Sequence, residues 1–330
     1  MGKFLAFAII LITACSALSA DYGVAKFVNP ICGGADPCVV KNPEGPGYWY
    51  VYVNSSLTGI CVEYAVNPAD FEYNHKNEVF SAKEGTEYVY EFWAPELIRF
   101  GDKWYIYFTA VGKSNVHQLF VVSGDDPMKP FGDVKYLGCH NNDLSIDQSV
   151  FEYKGKLYTV YSSGHGSTSQ DLYIAEMASP TEIKGTEVLL TKPELEWERR
   201  GWNVTEGPVA LQRNGKLYIV YSASGAAFDE YCLGILKFKG GKVTDPANWE
   251  KHPVPIMTGQ GNLLGTGHCT FTTDADGEVW CAFHINKPRT AEQYGNWVNR
   301  YLCLQPVVWI DDFPHFSPMV EKPKYFKYEK

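Results

Sequence analysis

GYWYVYV at Gly47–Val53, GDKWYIYF at Gly101–Phe108, GKLYTVY at Gly155–Tyr161, GKLYIVY at Gly215–Tyr221 and GEVWCAF at Gly277–Phe283 are five versions of one phrase in a chain of 330 residues. Each is a turn glycine followed by alternating β-branched and aromatic side chains, the pattern of a hairpin running into a strand. With Tyr50, Tyr105, Tyr158, Tyr218 and Trp280 taken as equivalent, the intervals are 55, 53, 60 and 62 residues. Four-stranded propeller blades repeat every ~40 to 50 residues, a little more with loops. The spacing therefore predicts an all-β, five-bladed β-propeller. Length alone, at about 150 residues per domain, suggests roughly two domains, but a two-domain β-sandwich would not require near-equal intervals. No long window sustains apolar residues at i, i+3 and i+4, and radial repetition protects the sheet edges of an all-strand protein.

The composition agrees. It is 45% hydrophobic and 15% aromatic, with 22 Tyr, 18 Phe and 9 Trp, too apolar for a disordered chain. Thirty Gly and 19 Pro without a triplet period exclude collagen and indicate many turns. A net charge of −9 and a pI near 5.4 argue against a nucleic-acid partner, which needs clustered Lys and Arg. A neutral, polar ligand fits better.

Lys3, the apolar run Phe4–Ile12 and the small residues up to Ala20 read as a secretory signal over residues 1–20. The run is short for a membrane span, which needs about 20 apolar residues. The expectation is a secreted, monomeric protein that avoids membranes, with residues 21–330 forming a single catalytic domain. Eight cysteines follow the signal, enough for up to four disulfides in an oxidising compartment, and their spacing lacks a CxxC zinc pattern. Sequons stand at Asn54-Ser55-Ser56 and Asn203-Val204-Thr205.

A shorter strand-like segment precedes each aromatic phrase. These are Asp36-Pro37-Cys38-Val39, Ala94-Pro95-Glu96-Leu97, Asp147-Gln148-Ser149-Val150, Glu206-Gly207-Pro208-Val209 and His268-Cys269-Thr270-Phe271, beginning 14, 11, 11, 12 and 12 residues before the aligned aromatic. One slot per blade thus holds Asp36, Ala94, Asp147, Glu206 and His268, and innermost propeller strands line the axis. Singly, an Asp or Glu beside Pro or Gly reads as a turn residue. Together, three converging carboxylates raise at least one carboxyl pKa, and a paired acid and base acting on a glycosidic bond is the commonest chemistry needing that arrangement.

ADP at Ala35–Pro37, WAPE at Trp93–Glu96, DQSVF at Asp147–Phe151, TEGP at Thr205–Pro208 and GTGH at Gly265–His268 resemble, in order and spacing, glycoside hydrolase family 43. The resemblance covers about residues 30–310. It implies a five-bladed propeller, often secreted, that acts on arabinose- and xylose-containing plant cell-wall oligo- or polysaccharides with inversion and requires no cofactor. The stretch Trp197–Gly225, with YCLGIL at Tyr231–Leu236 and LGTGHCTFT at Leu264–Thr272, is similar to the exo-acting α-L-arabinofuranosidase branch. β-Xylosidase, endo-1,5-α-L-arabinanase and a non-catalytic carbohydrate-binding propeller are the alternatives.

By that resemblance Asp36 is the general base, Glu206 the general acid and Asp147 the residue that orients the acid and tunes its pKa. An inverting pair is separated by about 6.5 to 9.5 Å. His268 would order water or a structural Ca2+ in the central channel, with a plain hydrogen-bonded histidine equally consistent; one imidazole plus waters is a poor calcium site. His284 and His165 read as blade residues. Trp93, Phe92 and Trp202 are candidate sugar platforms. The branch carries an arginine shortly before the Gln-Pro of the last strand. Here Cys303 stands nearer that place, leaving Arg300 or Arg289 as the sugar-contacting arginine. A glycan on Asn203, three residues before Glu206, would crowd the site, so Asn203 is expected unmodified or turned outward.

Overall fold

The computed structural model describes residues 21–138, 143–165, 168–286, 299–316, 319 and 321–330; the side chain of His165 lies outside the description, as do Cys139 and Arg289. Five antiparallel sheets form the blades of a β-propeller. Blade I comprises Cys38–Lys41, Tyr48–Val53, Gly59–Ala65 and Glu78–Ser81. Blade II comprises Tyr90–Phe100, Lys103–Val111, His117–Gly124 and Gly132–Gly138. Blade III comprises Ser145–Tyr153, Lys156–His165, Ser169–Ser179 and Glu182–Thr191. Blade IV comprises Thr205–Arg213, Lys216–Ala223, Cys232–Phe238 and Trp249–Lys251. Blade V comprises Leu264–Thr273, Val279–Asn286 and Arg300–Ile310. The first strand of every blade touches the first strands of both neighbours, closing a ring around the axis.

The repeated phrases are the second strands, and their alternation explains how blades stack. In Tyr48–Val53, Tyr48, Tyr50 and Tyr52 enter the core shared with Leu302 and Leu304 of blade V, whereas Trp49 and Val51 enter the core shared with Trp104 and Phe108 of blade II. Such a strand is buried on both faces, and each large side chain removed from water contributes about 1.5 to 3 kcal/mol. Tyrosine suits this place because its hydroxyl reaches the backbone of an adjacent blade. Tyr48, Tyr107 and Tyr218 donate to the carbonyls of Thr273, Pro180 and Asp312 at 3.1, 2.7 and 2.8 Å. In blades III and IV the hairpins before the phrases turn on Lys154-Gly155 and Asn214-Gly215, all at positive φ, the backbone of a tight two-residue hairpin.

Two features of closure are absent from the sequence reading. Cys32–Gly33 pairs with Arg300–Ile310 as the outermost strand of blade V, so the beginning of the fold seals its last blade. Near the other end, Lys324–Glu329 pairs antiparallel with Tyr22–Phe27 and buries Phe326 against Tyr48 and Trp280. Among the described residues no helix is long and apolar enough to cross a membrane. The seven described cysteines are free and all but Cys32 are buried, so no disulfide forms among them. Burial pushes the Cys32 thiol up to about 12 and that of Cys61 to about 11.

Candidate active site

At the mouth of the ring the equivalent residue, in or just before each inner strand, takes the left-handed backbone conformation: Asp36 (φ 48°), Ala94 (46°), Asp147 (59°), Gly207 (51°) and His268 (47°). In blades II to V this residue sits at a break in register with the second strand, a β-bulge that re-aims side chains out of the pleat. Four of the five slots predicted from the sequence coincide with these positions. The fourth does not: the slot of blade IV holds Gly207, and Glu206 stands one residue earlier, level with Ile146 of blade III. Counting back from an aromatic could not detect that shift, because a bulge adds a residue without changing the look of either strand. Non-glycine side chains in this conformation cost about 1 to 3 kcal/mol, and three of them here are ionisable.

Most slots are pinned by the blade before. Thr109 of blade II accepts the Asp147 N–H at 3.3 Å, Ser222 of blade IV accepts the His268 N–H at 2.7 Å, and His284 Nδ1 of blade V accepts the Asp36 N–H at 3.2 Å. Asp147 Oδ2 accepts the Gly207 N–H at 2.9 Å. This contact fixes Asp147 beside the residue that follows Glu206.

The carboxyls divide into two electrostatic groups. Asp36 Oδ1 lies 2.9 Å from Arg300 Nη1 and 3.4 Å from both His268 Nδ1 and His284 Nδ1. Burial opposes its ionisation, but Arg300, then His268 and His284, overcome that and hold the carboxyl far below the usual range. Glu206 accepts from Tyr231 Oη at 2.8 Å and from Gln170 Nε2 at 2.9 Å. Burial raises Glu206 to about 7, with the charge of Asp36 adding to it and the Tyr231 and Gln170 hydrogen bonds restraining it. Asp147 is raised well above its ordinary value by burial, then by Glu206 and Asp36. Near neutral pH the molecule thus presents an ionised Asp36 facing a Glu206 and Asp147 that tend to keep protons. Burial lowers His268, against the opposing pull of Asp36, and lowers His284 to about 4.

Among the described residues, Arg300 is the arginine at the site. His284 belongs there too, correcting its reading as a plain blade residue: it is buried, contacts Asp36, and stacks on Tyr231 at 5.6 Å with an interplanar angle of 10°. Phe92 is no sugar platform. It is 0% exposed and packs on Phe80 and Phe108, because the strand alternation that turns Trp93 toward the mouth turns Phe92 into the blade. Trp93 is half-buried and stacks on His117 at 3.9 Å. Trp202 is 41% exposed and lines a cavity of about 520 Å³ between blades III and IV. Asn203 lines the same cavity with an exposed side chain.

The donors do not suit calcium. His268 is 4% exposed, and its carboxylate neighbours are already engaged by Arg300 and the Gly207 amide, against the six to eight oxygens the ion takes. Among the described residues no group of three His, Cys, Asp or Glu is arranged to hold a metal. Sequence reasoning missed Gln170, in the third strand of blade III, and Tyr231, just before the third strand of blade IV, neutral side chains with no charge pattern to mark them. It also passed over Glu96. Burial pushes this carboxyl to about 8, restrained by a hydrogen bond from Cys38, and it lines an axial cavity of about 340 Å³ formed by the inner strands.

The sequence profile of "Glycosyl hydrolases family 43" matches residues 27–314. The chain is 31% identical over 282 residues to an extracellular exo-alpha-(1->5)-L-arabinofuranosidase of Streptomyces chartreusis, covering 80% of this chain and 85% of that one. It is 30% identical over 262 residues to alpha-L-arabinofuranosidase B of Pyricularia oryzae, covering 74% of this chain and about half (52%) of that longer protein. Among solved structures, an alpha-L-arabinofuranosidase from Lactobacillus brevis superposes with a TM-score of 0.77 at 29% identity, covering 90% of this chain and 98% of that one.

Proposed function

The chain belongs to glycosyl hydrolase family 43 and is a glycoside hydrolase, and from that premise we propose that it is a secreted, exo-acting α-L-arabinofuranosidase that releases terminal arabinofuranose from arabinan or arabinose-decorated plant polysaccharides with inversion. The observation carrying this reading is the contrast between the two carboxyls: Asp36 lies against the Arg300 guanidinium, whereas Glu206 is held by the neutral side chains of Tyr231 and Gln170. Arabinofuranosidase names among the relatives support the sugar, and the extracellular relatives together with the signal pattern of residues 1–20 support export. Residues 21–330 act as one catalytic domain, and as a monomer.

In this reading Asp36, kept ionised by Arg300, accepts a proton from a water whose oxygen attacks the anomeric carbon. Glu206 donates its proton to the glycosidic oxygen as that C–O bond breaks. A general acid works best with a pKa near the operating pH, and about 7 for Glu206 meets that condition. Asp147 orients the acid by holding the Gly207 amide next to Glu206, and its own proton is retained through burial and the charge of Glu206. Each turnover leaves Asp36 protonated and Glu206 ionised, and exchange with solvent restores both. A binding-only propeller has no use for a protonated Glu206.

Proton NMR of the first product made from an α-arabinofuranoside tests the stereochemistry: β-arabinofuranose is expected, and initial α product would replace inversion by retention. Parallel assays on nitrophenyl arabinofuranoside, nitrophenyl xyloside and debranched arabinan decide between this activity and xylosidase or endo-arabinanase action. Glu206→Gln should abolish turnover of unactivated glycosides while sugar binding persists, and undiminished hydrolysis would remove Glu206 from the acid role.

A further inference from the structure

The acid must touch the departing oxygen, so whatever lies beyond that oxygen sits on the Glu206 side of the mouth and away from Asp36, whose side-chain partners Arg300, His268 and His284 all belong to blade V. On the Glu206 side lies the cavity between blades III and IV. Resting on the arabinofuranosidase reading, we propose that this cavity is the leaving-group subsite and takes the next sugar of the chain, with Trp202 as its stacking wall and Gln170 as its link to the acid.

Gln170 lines the cavity and its Nε2 donates to Glu206 Oε2 at 2.9 Å and to Ser162 Oγ at 3.0 Å. The floor is preformed. The Gln170 N–H donates to the Asn203 carbonyl at 3.0 Å, Thr205 Oγ1 donates to the Gln170 carbonyl at 3.1 Å, and Asn203 Nδ2 donates to the Thr168 carbonyl at 3.3 Å. Trp202 is held edge-on to Phe228 at 5.6 Å and 85°. Glycine flanks that contact by necessity: a Cβ on Gly201 would meet the Phe228 ring at 2.4 Å, and one on Gly225 would meet it at 2.6 Å and the Trp202 ring at 3.0 Å. A volume of about 520 Å³ falls in the range of small-ligand sites, ~300 to 1,000 Å³. An indole beside amide and carboxylate groups, Asp143 and Asn203 among them, is the chemistry that receives a sugar ring with its hydroxyls.

The test compares substrates that share the arabinofuranosyl group and differ in what leaves: arabinofuranosyl fluoride, whose leaving group needs neither subsite nor proton, and 1,5-linked arabinotriose. For Trp202→Ala the ratio of kcat/KM for the triose to that for the fluoride should fall about tenfold, the size of one lost aromatic contact. Trp202→Phe, which keeps a ring, should recover most of it. A ratio within twofold of wild type in Trp202→Ala, or no recovery in Trp202→Phe, overturns the subsite. If wild-type enzyme turns over xylosyl fluoride and xylobiose but not the arabinosides, the sugar reading fails while the same ratio on xylosides still decides the subsite; inactivity on both pairs overturns both.

Discussion

Arg300 is the residue on which the charge of Asp36 depends most. An opposite charge within about 4 to 6 Å lowers a carboxyl by ~1 to 3 pH units, and Arg300 is the leading lowering influence on Asp36. Wild-type kcat/KM should therefore show no acid limb from Asp36 in the ordinary carboxylate range. Arg300→Met should bring one in, shifted up by ~1 to 3 units, along with a loss of activity; an unchanged acid side would show that Arg300 acts only on the sugar. Tyr231 bears on the other limb. Its hydroxyl stabilises ionised Glu206, so Tyr231→Phe should raise the acid's pKa and move the alkaline limb, near pH 7 in the wild type, to higher pH. A lowered kcat with the limb unmoved would restrict Tyr231 to packing on His284.

In the inner strands of blades II to V the bulge re-aims side chains at the mouth, and the strained backbone is its cost. Gly207 and Ala94 occupy equivalent slots at φ 51° and 46°, which makes them a matched pair. Gly207→Ala adds a Cβ 3.1 Å from His268 Nδ1 and should lower stability by about 1 to 3 kcal/mol, read as a fall in Tm with a loss of activity as His268 shifts. Ala94→Gly relieves the same strain without that contact and should leave Tm level or higher; a comparable loss in both would mean the slots differ in more than backbone. The bulges also mark how far the sequence could be read. The second strands announce themselves because alternation is a property of neighbouring residues, and Asp36, Asp147 and His268 follow at countable distances. Glu206 falls out of step because register depends on pairing across strands. Tyr231, Gln170 and His284 reach the site through inter-blade geometry that no local pattern encodes, and Phe92 was misread because facing alternates within a motif that names both aromatics together.

For the whole molecule, closure and central charge govern stability. Phe326, 0% exposed, joins the terminal strand pair to blades I and V, so Phe326→Ala should cost about 3 to 5 kcal/mol, measured by denaturant unfolding; a loss under about 1 kcal/mol, the scale of a surface change, would show the clasp to be dispensable. The centre of the ring sets the pH response. Glu96, with an ordinary value of 4.5, is held at about 8 chiefly by burial, so the folded state keeps a proton that the unfolded chain releases. Stability from such a group is fully present below about pH 4.5 and drains as pH rises through 8, at up to ~1.4 kcal/mol per pH unit. Glu206 adds the same trend up to about 7. His284, lowered to about 4, works in the opposite direction and removes stability as pH falls from 6.5 towards 4. Glu96→Gln fills the same space without a titrating proton. Its Tm should decline less than the wild type's between pH 5 and 8, so that the mutant gains on the wild type steadily across that interval. Parallel Tm curves would mean that Glu96 is already ionised in the fold, and that the axial cavity it lines admits enough water to solvate the charge.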